Sequence, residues 1–175
     1  LPHRLEFLVN HQDKLTDKEY WETLGSIFLS TENQTENMSK WIELFNIPRP
    51  KRECLMVDID DYDFFEELPD KVEVWRGVSD ESYVSGLSWS TEKGVAEWFS
   101  KRFSCIHGDR ILCNGWIEKD KILMSSLHEY LIVCNPNDIT DLKTEKISLE
   151  DEPVENDTPY TIKDLVAEYE EIMNE

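Results

Sequence analysis

Val74-Trp75-Arg76-Gly77, followed by Gly86-Leu87-Ser88-Trp89-Ser90-Thr91, decides how this chain is read. From Lys71 the pattern alternates with period two. Val72 and Val74 interleave with Glu73 and Trp75, which predicts a strand ending near Arg76 and Gly77. Residues 86–90 predict a second, short strand with Ser88 and Ser90 on one face and Trp89 on the other. Residues 91–103 change to helical spacing: Val95, Phe99 and Phe103 fall four apart and Ala96 joins them. Thr91 is a suitable N-cap, and Glu92 suits the positive end of the helix dipole.

Downstream, residues 111–117 and 122–124 predict strand segments around Glu118-Lys119-Asp120-Lys121. Residues 129–134 predict a buried strand that opens on Glu129 and stops at Asn135-Pro136-Asn137. Residues 139–149 add an edge strand. Upstream, residues 3–46 are helical. Leu5, Phe7 and Leu8, then Leu15, Trp21, Leu24, Ile27 and Phe28, recur at three- and four-residue spacing. Thr16-Asp17-Lys18-Glu19 has the form of a capping box. A third helix over 36–45 is stopped by Pro48 and Pro50.

Between the helices and the first strand lies an acidic link. Asp58, Asp60, Asp61, Asp63, Glu66, Glu67 and Asp70 are interleaved with Ile59, Tyr62, Phe64 and Phe65. So dense a charged run predicts a solvated face or loop, with aromatics that suggest part of it packs or meets a partner. Residues 150–157 form an acidic linker, and 161–173 predict a terminal helix. The expected organisation is α+β: one domain over 1–149, with a helical part at 1–50 and a core at 71–142, then an acidic linker and C-terminal helix at 150–175.

The 175 residues suffice for one domain with a real core. With 38 acidic against 18 basic residues, the net charge of −20 disfavours non-specific binding to nucleic acid or anionic membrane. It permits a basic protein partner. Cys54, Cys105, Cys113 and Cys134 form no Cys-x-x-Cys pair, and the histidines at 3, 11, 107 and 128 lack metal spacing. No metal site is expected, and the cysteine usage suggests a reduced, cytosolic setting. No stretch is apolar enough for a membrane helix. No Gly-x-Gly-x-x-Gly or Walker loop supports Rossmann or P-loop nucleotide binding.

Three residue types remain that carry chemistry. Arg76 presents a fork of donors able to clasp phosphate oxygens, and Gly77 lets a ligand approach the backbone. Ser88 and Ser90 offer two hydroxyls. Glu129 is a carboxylate at the mouth of an apolar strand, costly unless paired or used. It could bind a ribose hydroxyl and stabilise positive charge at an anomeric carbon. Taken singly, each has a plainer reading: a surface ion pair, a half-buried strand and a strand-end glutamate.

In order, strand-Arg-Gly, Ser-x-Ser running into a helix with Ala96-Glu97-Trp98-Phe99, and a strand opening with glutamate resemble the Arg-Ser-Glu class of mono-ADP-ribosyltransferases. Residues 86–103 match best, and they look like bacterial and bacteriophage versions. Residues 116–123 are similar too, and the likeness covers about 72–142. The resemblance implies two small sheets packed across an NAD cleft, flanked by helices. It implies that Arg76 binds the NAD phosphates and ribose and that the Gly77 backbone holds the nicotinamide carboxamide. Ser88 would orient the ribose and support Glu129, which would bind the ribose hydroxyl as nicotinamide leaves. Trp89 and Ser90 complete the cofactor-binding motif.

The activity implied by the resemblance is an NAD-dependent transfer of ADP-ribose to a host macromolecule in bacterial or host cytosol. The acceptor would be a protein or nucleic acid, such as a basic host protein. Leu127 departs from the pattern: arginine-modifying relatives carry Glu or Gln two residues before the catalytic glutamate. Two alternatives therefore stand beside transfer. One is an acidic, non-catalytic protein of the same fold that occupies a basic partner; the other is an NAD glycohydrolase. NAD is anionic, so the cleft of this acidic chain must be locally positive. Arg76, Lys93, Lys101, Arg102 and Arg110 are the cations available to it.

Overall fold

Thr16 starts the best-defined helix of the N-terminal part. In the computed structural model, which describes residues 3–31, 34–56, 58–102 and 110–147, helix α1 spans His3–His11 and α2 spans Asp17–Leu29. The capping box forms as its spacing predicts. The Glu19 amide donates to Thr16 Oγ1 at 3.3 Å, and the Thr16 amide donates to Glu19 Oε2 at 2.9 Å. Helix α3, Met38–Phe45, ends ahead of Pro48. The predicted acidic linker at 150–157 and helix at 161–173, with Phe103, Cys105 and His107, lie outside the described residues.

These three helices bury a largely aromatic core. Phe28 meets Trp41 and Phe45 edge-on at centroid distances of 5.2 and 5.3 Å. Trp21, Phe28, Trp41 and Phe45 are fully buried, each worth about 1.5–3 kcal/mol of transfer from water. Two polar tips in this core find carbonyls, the Tyr20 hydroxyl donating to the Leu44 carbonyl at 2.9 Å and Trp21 Nε1 to the Pro50 carbonyl at 2.7 Å, while the buried Trp41 Nε1 has no hydrogen-bond partner among the described residues. The Arg49 and Arg52 guanidiniums cover the Tyr20 and Trp21 rings.

Of the two forms expected for the acidic run, the structure shows the solvated face: apart from Asp61 its carboxylates are exposed. The run forms helix α4, Ile59–Glu67. Its inward positions at three- and four-residue spacing are Asp61, Phe64, Phe65 and Leu68. The last three pack against the second core, and Asp61 is 7% exposed. The helical period is hidden in the sequence because one inward residue is itself an aspartate.

The strands are β1 Lys71–Val78, β2 Ser88–Ser90, β3 Ile111–Glu118, β4 Ile122–Ser126, β5 Leu131–Cys134 and β6 Thr140–Lys146. Helix α5, Lys93–Arg102, follows β2 as predicted. The fold is α+β. Instead of the two packed sheets implied by the resemblance, the strands join in one antiparallel sheet of order β4-β5-β2-β1-β3-β6. The two halves meet at a single residue pair, Trp75↔Ser90. By contrast β1 and β3 pair along their whole length, from Lys71↔Glu118 to Val78↔Ile111. The short β2 thus bridges two half-sheets, and the joint between them is narrow.

The sheet contributes to two cores. Leu123, Met124 and Val133 join the helical core, while Ile122, Ile132 and Cys134 join a second core with Val72, Val74, Trp89, Ile111 and Cys113. Alternation along β5 divides Val133 from Ile132 and Cys134. An irregularity between Ile122 and Met124 turns Leu123 and Met124 together toward the helices. The edge strand β6 is exposed throughout and carries Asp141, Lys143, Glu145 and Lys146, charges that discourage edge-to-edge association.

Candidate active site

Beyond the Trp75↔Ser90 pair, β1 and β2 share no register, and a cavity of about 820 Å³ opens there. That volume suits a sizeable small molecule. Its walls come from β1, β2, α5, the end of α2 with the segment after it (Phe28, Thr31, Gln34), and the turn ahead of β5. Arg76, Gly77, Ser88, Trp89, Ser90 and Glu129 all line it. Arg76 and Glu129, 53 positions apart in sequence, therefore meet in one space.

Arg76 enters from β1, half-buried. Its Nε donates to the Tyr83 carbonyl at 3.1 Å and its Nη1 to the Ser88 carbonyl at 2.6 Å. No carboxylate pairs with it among the described residues. Burial pulls its pKa down to about 10, against the opposing influence of the Cys113 and Cys134 sulfurs, so it stays cationic at neutral pH. The guanidinium lies against Gly86, where a Cβ would come within 2.2 Å of Nη2. Gly86 is glycine because the arginine occupies that space. Gly77 answers to a different contact: a Cβ there would lie 1.7 Å from the Ala96 carbonyl oxygen, so its bareness is what lets α5 pack on β1.

The serines divide their work. Ser88 is half-buried, and its hydroxyl has no protein partner among the described residues. Ser90 is 5% exposed; its Oγ donates to the Glu129 carbonyl at 2.8 Å and accepts the Glu92 amide at 3.1 Å. Ser90 therefore holds the turn that leads into α5 and holds Glu129 by its backbone. Trp89 lines the cavity, but its indole is buried in the second core and donates to the Gly86 carbonyl at 2.9 Å. It fixes the Gly86 turn over which Arg76 lies.

Glu129 does not open a strand. It sits in a turn, His128–Tyr130, and β5 begins two residues later at Leu131. Its backbone is left-handed at φ 58°, and Tyr130 follows at φ 49°. Two successive non-glycine residues in this region cost about 1–3 kcal/mol each and persist only where the surroundings impose them. The impositions are visible: Ser90 Oγ on the Glu129 carbonyl, the Thr91 amide on the Tyr130 carbonyl at 3.0 Å, and the Tyr130 amide on the Leu127 carbonyl at 3.0 Å. The Glu129 side chain is exposed at the cavity wall.

The electrostatics are local. Arg76 and Arg102 line the cavity against one carboxylate, Glu129. In a chain of net charge −20, this region is relatively positive. Of the other cations, Lys93 pairs with Glu97 at 3.4 Å and covers the Trp75 ring, and neither Lys101 nor Arg110 lines the cavity. Sequence reasoning missed Asp61. Its Oδ1 accepts the Leu127 amide at 2.7 Å, two residues before Glu129. It also missed the packing of Phe64 against Tyr130, 6.1 Å between ring centres. A buried aspartate in an otherwise exposed acidic run leaves no mark in composition. The Leu127 side chain is 41% exposed and brings no polar group to the site.

Among the described residues no group of three or more His, Cys, Asp and Glu could hold a metal ion, Cys54, Cys113 and Cys134 are free, and no helix is long and apolar enough to cross a membrane. A smaller cavity of about 400 Å³ lies between Asn46, Arg52, Lys121 and Asp138, but Arg52 is engaged there by the Phe45 and Leu123 carbonyls. No family model, curated protein or solved structure matches this chain.

Proposed function

We propose that this chain is an NAD-dependent ADP-ribosyltransferase that uses the cavity at the β1–β2 joint. Support comes from the meeting of Arg76, Ser88 and Glu129 on the wall of one cavity that holds two arginines against a single carboxylate. Arg76, already cationic and with N–H groups beyond the two engaged by carbonyls, takes the dinucleotide phosphates. Ser88 offers its hydroxyl to the nicotinamide ribose. Glu129 accepts a ribose hydroxyl.

The bond between the anomeric carbon and the nicotinamide nitrogen breaks, and its electron pair leaves with the nitrogen. Positive charge develops on the ribose, and the Glu129 carboxylate stabilises it as it forms. An acceptor then adds through its own lone pair and gives up a proton. The Glu129 backbone is held by Ser90 and by its own turn, which restricts where its side chain can stand in the cavity.

Leu127 favours a second reading, in which water is the acceptor. The position carries an exposed aliphatic side chain with no group to orient or deprotonate a macromolecular nucleophile. Isotope-labelled NAD separates the two. Nicotinamide release without label on any protein or nucleic acid of a lysate indicates hydrolysis; label retained on a macromolecule indicates transfer. Absence of both overturns the proposal.

A further inference from the structure

Asp61 is 7% exposed, and its one hydrogen bond is the 2.7 Å contact from the Leu127 amide to Oδ1; no cation pairs with it among the described residues. A carboxylate buried without a counter-charge is expensive, and stability alone would favour an apolar residue at this inward position of α4. What the aspartate secures is the first residue of the turn that carries Glu129. Leu127 has helical backbone angles, φ −64° and ψ −28°, and Glu129 reverses to φ 58° two residues on. Ser126 Oγ takes the next amide, that of His128, at 3.3 Å. The Phe64 ring, on the same face of α4 as Asp61, packs edge-on to Tyr130 at the far end of the turn. Helix α4 thus grips the turn at both ends, once by a hydrogen bond and once by an aromatic contact.

We propose that Asp61 is a positioning residue for Glu129: its carboxylate fixes the Leu127 amide and so sets where the Glu129 side chain stands in the cavity. This rests on the assignment of Glu129 to the ribose. It adds that the acidic helix, outside the span of the family resemblance, is part of the site.

The test removes the bond from each side. Asp61→Ala takes the acceptor away. Leu127→Pro takes the donor away without touching α4; proline fits φ −64°, and Ser126 before it is in a strand, as a residue preceding proline prefers. Both variants are expected to lower kcat for nicotinamide release by about tenfold with KM for NAD unchanged, and the double variant to be no worse than either single one. Asp61→Asn keeps an acceptor oxygen and is expected to restore most of the rate. Amide exchange at Leu127, followed by NMR, reads the bond without activity: protection in the native chain should vanish in Asp61→Ala. A folded Asp61→Ala or Leu127→Pro that turns over within about twofold of the native chain overturns the proposal, as does an unprotected Leu127 amide in the native chain. Failure of the native chain to release nicotinamide is a separate result and removes the enzymatic assignment itself.

Discussion

Nη1 of Arg76 lies 2.6 Å from the carbonyl oxygen of Ser88, so the cation of one strand is fixed by the backbone of the other where the two part. This one bond ties the phosphate-binding candidate to the ribose-binding candidate. It also explains the chain between them: the turn must return β2 close to β1, and Gly86 must leave room for the guanidinium.

Gly86→Ala tests that geometry. The new Cβ would stand 2.2 Å from Arg76 Nη2, and the flexible arginine would move before the backbone does. KM for NAD should rise about tenfold, or ~1.4 kcal/mol, with the denaturation midpoint nearly unchanged. Unaltered NAD affinity, measured by calorimetry, would separate Arg76 from ligand binding.

Gly77→Ala should behave in the opposite way. Its Cβ would meet the Ala96 carbonyl at 1.7 Å and the Ser100 amide at 2.6 Å, both backbone atoms of α5 that cannot swing aside. Stability in urea should fall by about 1–3 kcal/mol or more. A variant as stable as the native chain would mean that α5 does not rest on Gly77.

Ser90→Ala removes the hydroxyl that donates to the Glu129 carbonyl and accepts the Glu92 amide. The cost in stability should be about 1 kcal/mol, as for a lost buried hydrogen bond. The larger effect should be a fall of about tenfold in kcat, because the left-handed Glu129 loses an anchor. A loss of stability with kcat intact would leave Ser90 with a structural role alone.

Alkaline pH should destabilise the fold. Burial raises the Cys113 thiol to about 11, Cys134 to about 12 and the Tyr20 phenol to about 12. The folded chain therefore holds these protons after the unfolded chain has lost them. Their contribution is complete below the unfolded values, near 9 for the thiols and 10 for the phenol, and is lost as pH rises toward 11–12. Arg76, lowered to about 10, acts in the opposite sense: the cost of burying its charge is relieved above that pH. Arg52, also lowered by burial, acts with Arg76, and the three raised groups against these two make the net trend downward. Urea midpoints should drop between about pH 8.5 and 11, and Cys134→Val should reduce the drop. A midpoint constant over that range would show that these groups titrate alike in the folded and unfolded chains.

Much of the fold and site is legible in the sequence. The Thr16–Glu19 box, the period-two run from Lys71 and helix α5 follow from local spacing, whereas the grouping of Arg76, Ser88 and Glu129 comes from the family resemblance, since residues so far apart share no local pattern. The features that escape it are non-local or hidden by atypical chemistry. The acidic helix α4 cannot be told from a loop in the sequence because Asp61 occupies a core-facing position. Glu129 reads as the start of a strand because a left-handed glutamate has no sequence signature; only the contacts from Ser90, Thr91 and Asp61 impose it. One sheet stands in place of two because the outcome turns on a single pair, Trp75↔Ser90, which no periodicity reports.

The most direct measurement is nicotinamide release from NAD by the native chain and by Glu129→Gln, with NAD binding followed in parallel. The amide keeps the size of the side chain and removes its charge. Turnover should drop at least about a hundredfold, ~2.7 kcal/mol of transition-state stabilisation, while affinity for NAD holds. Equal turnover by the two proteins would contradict the assignment of Glu129, and with it the proposed chemistry of the cavity.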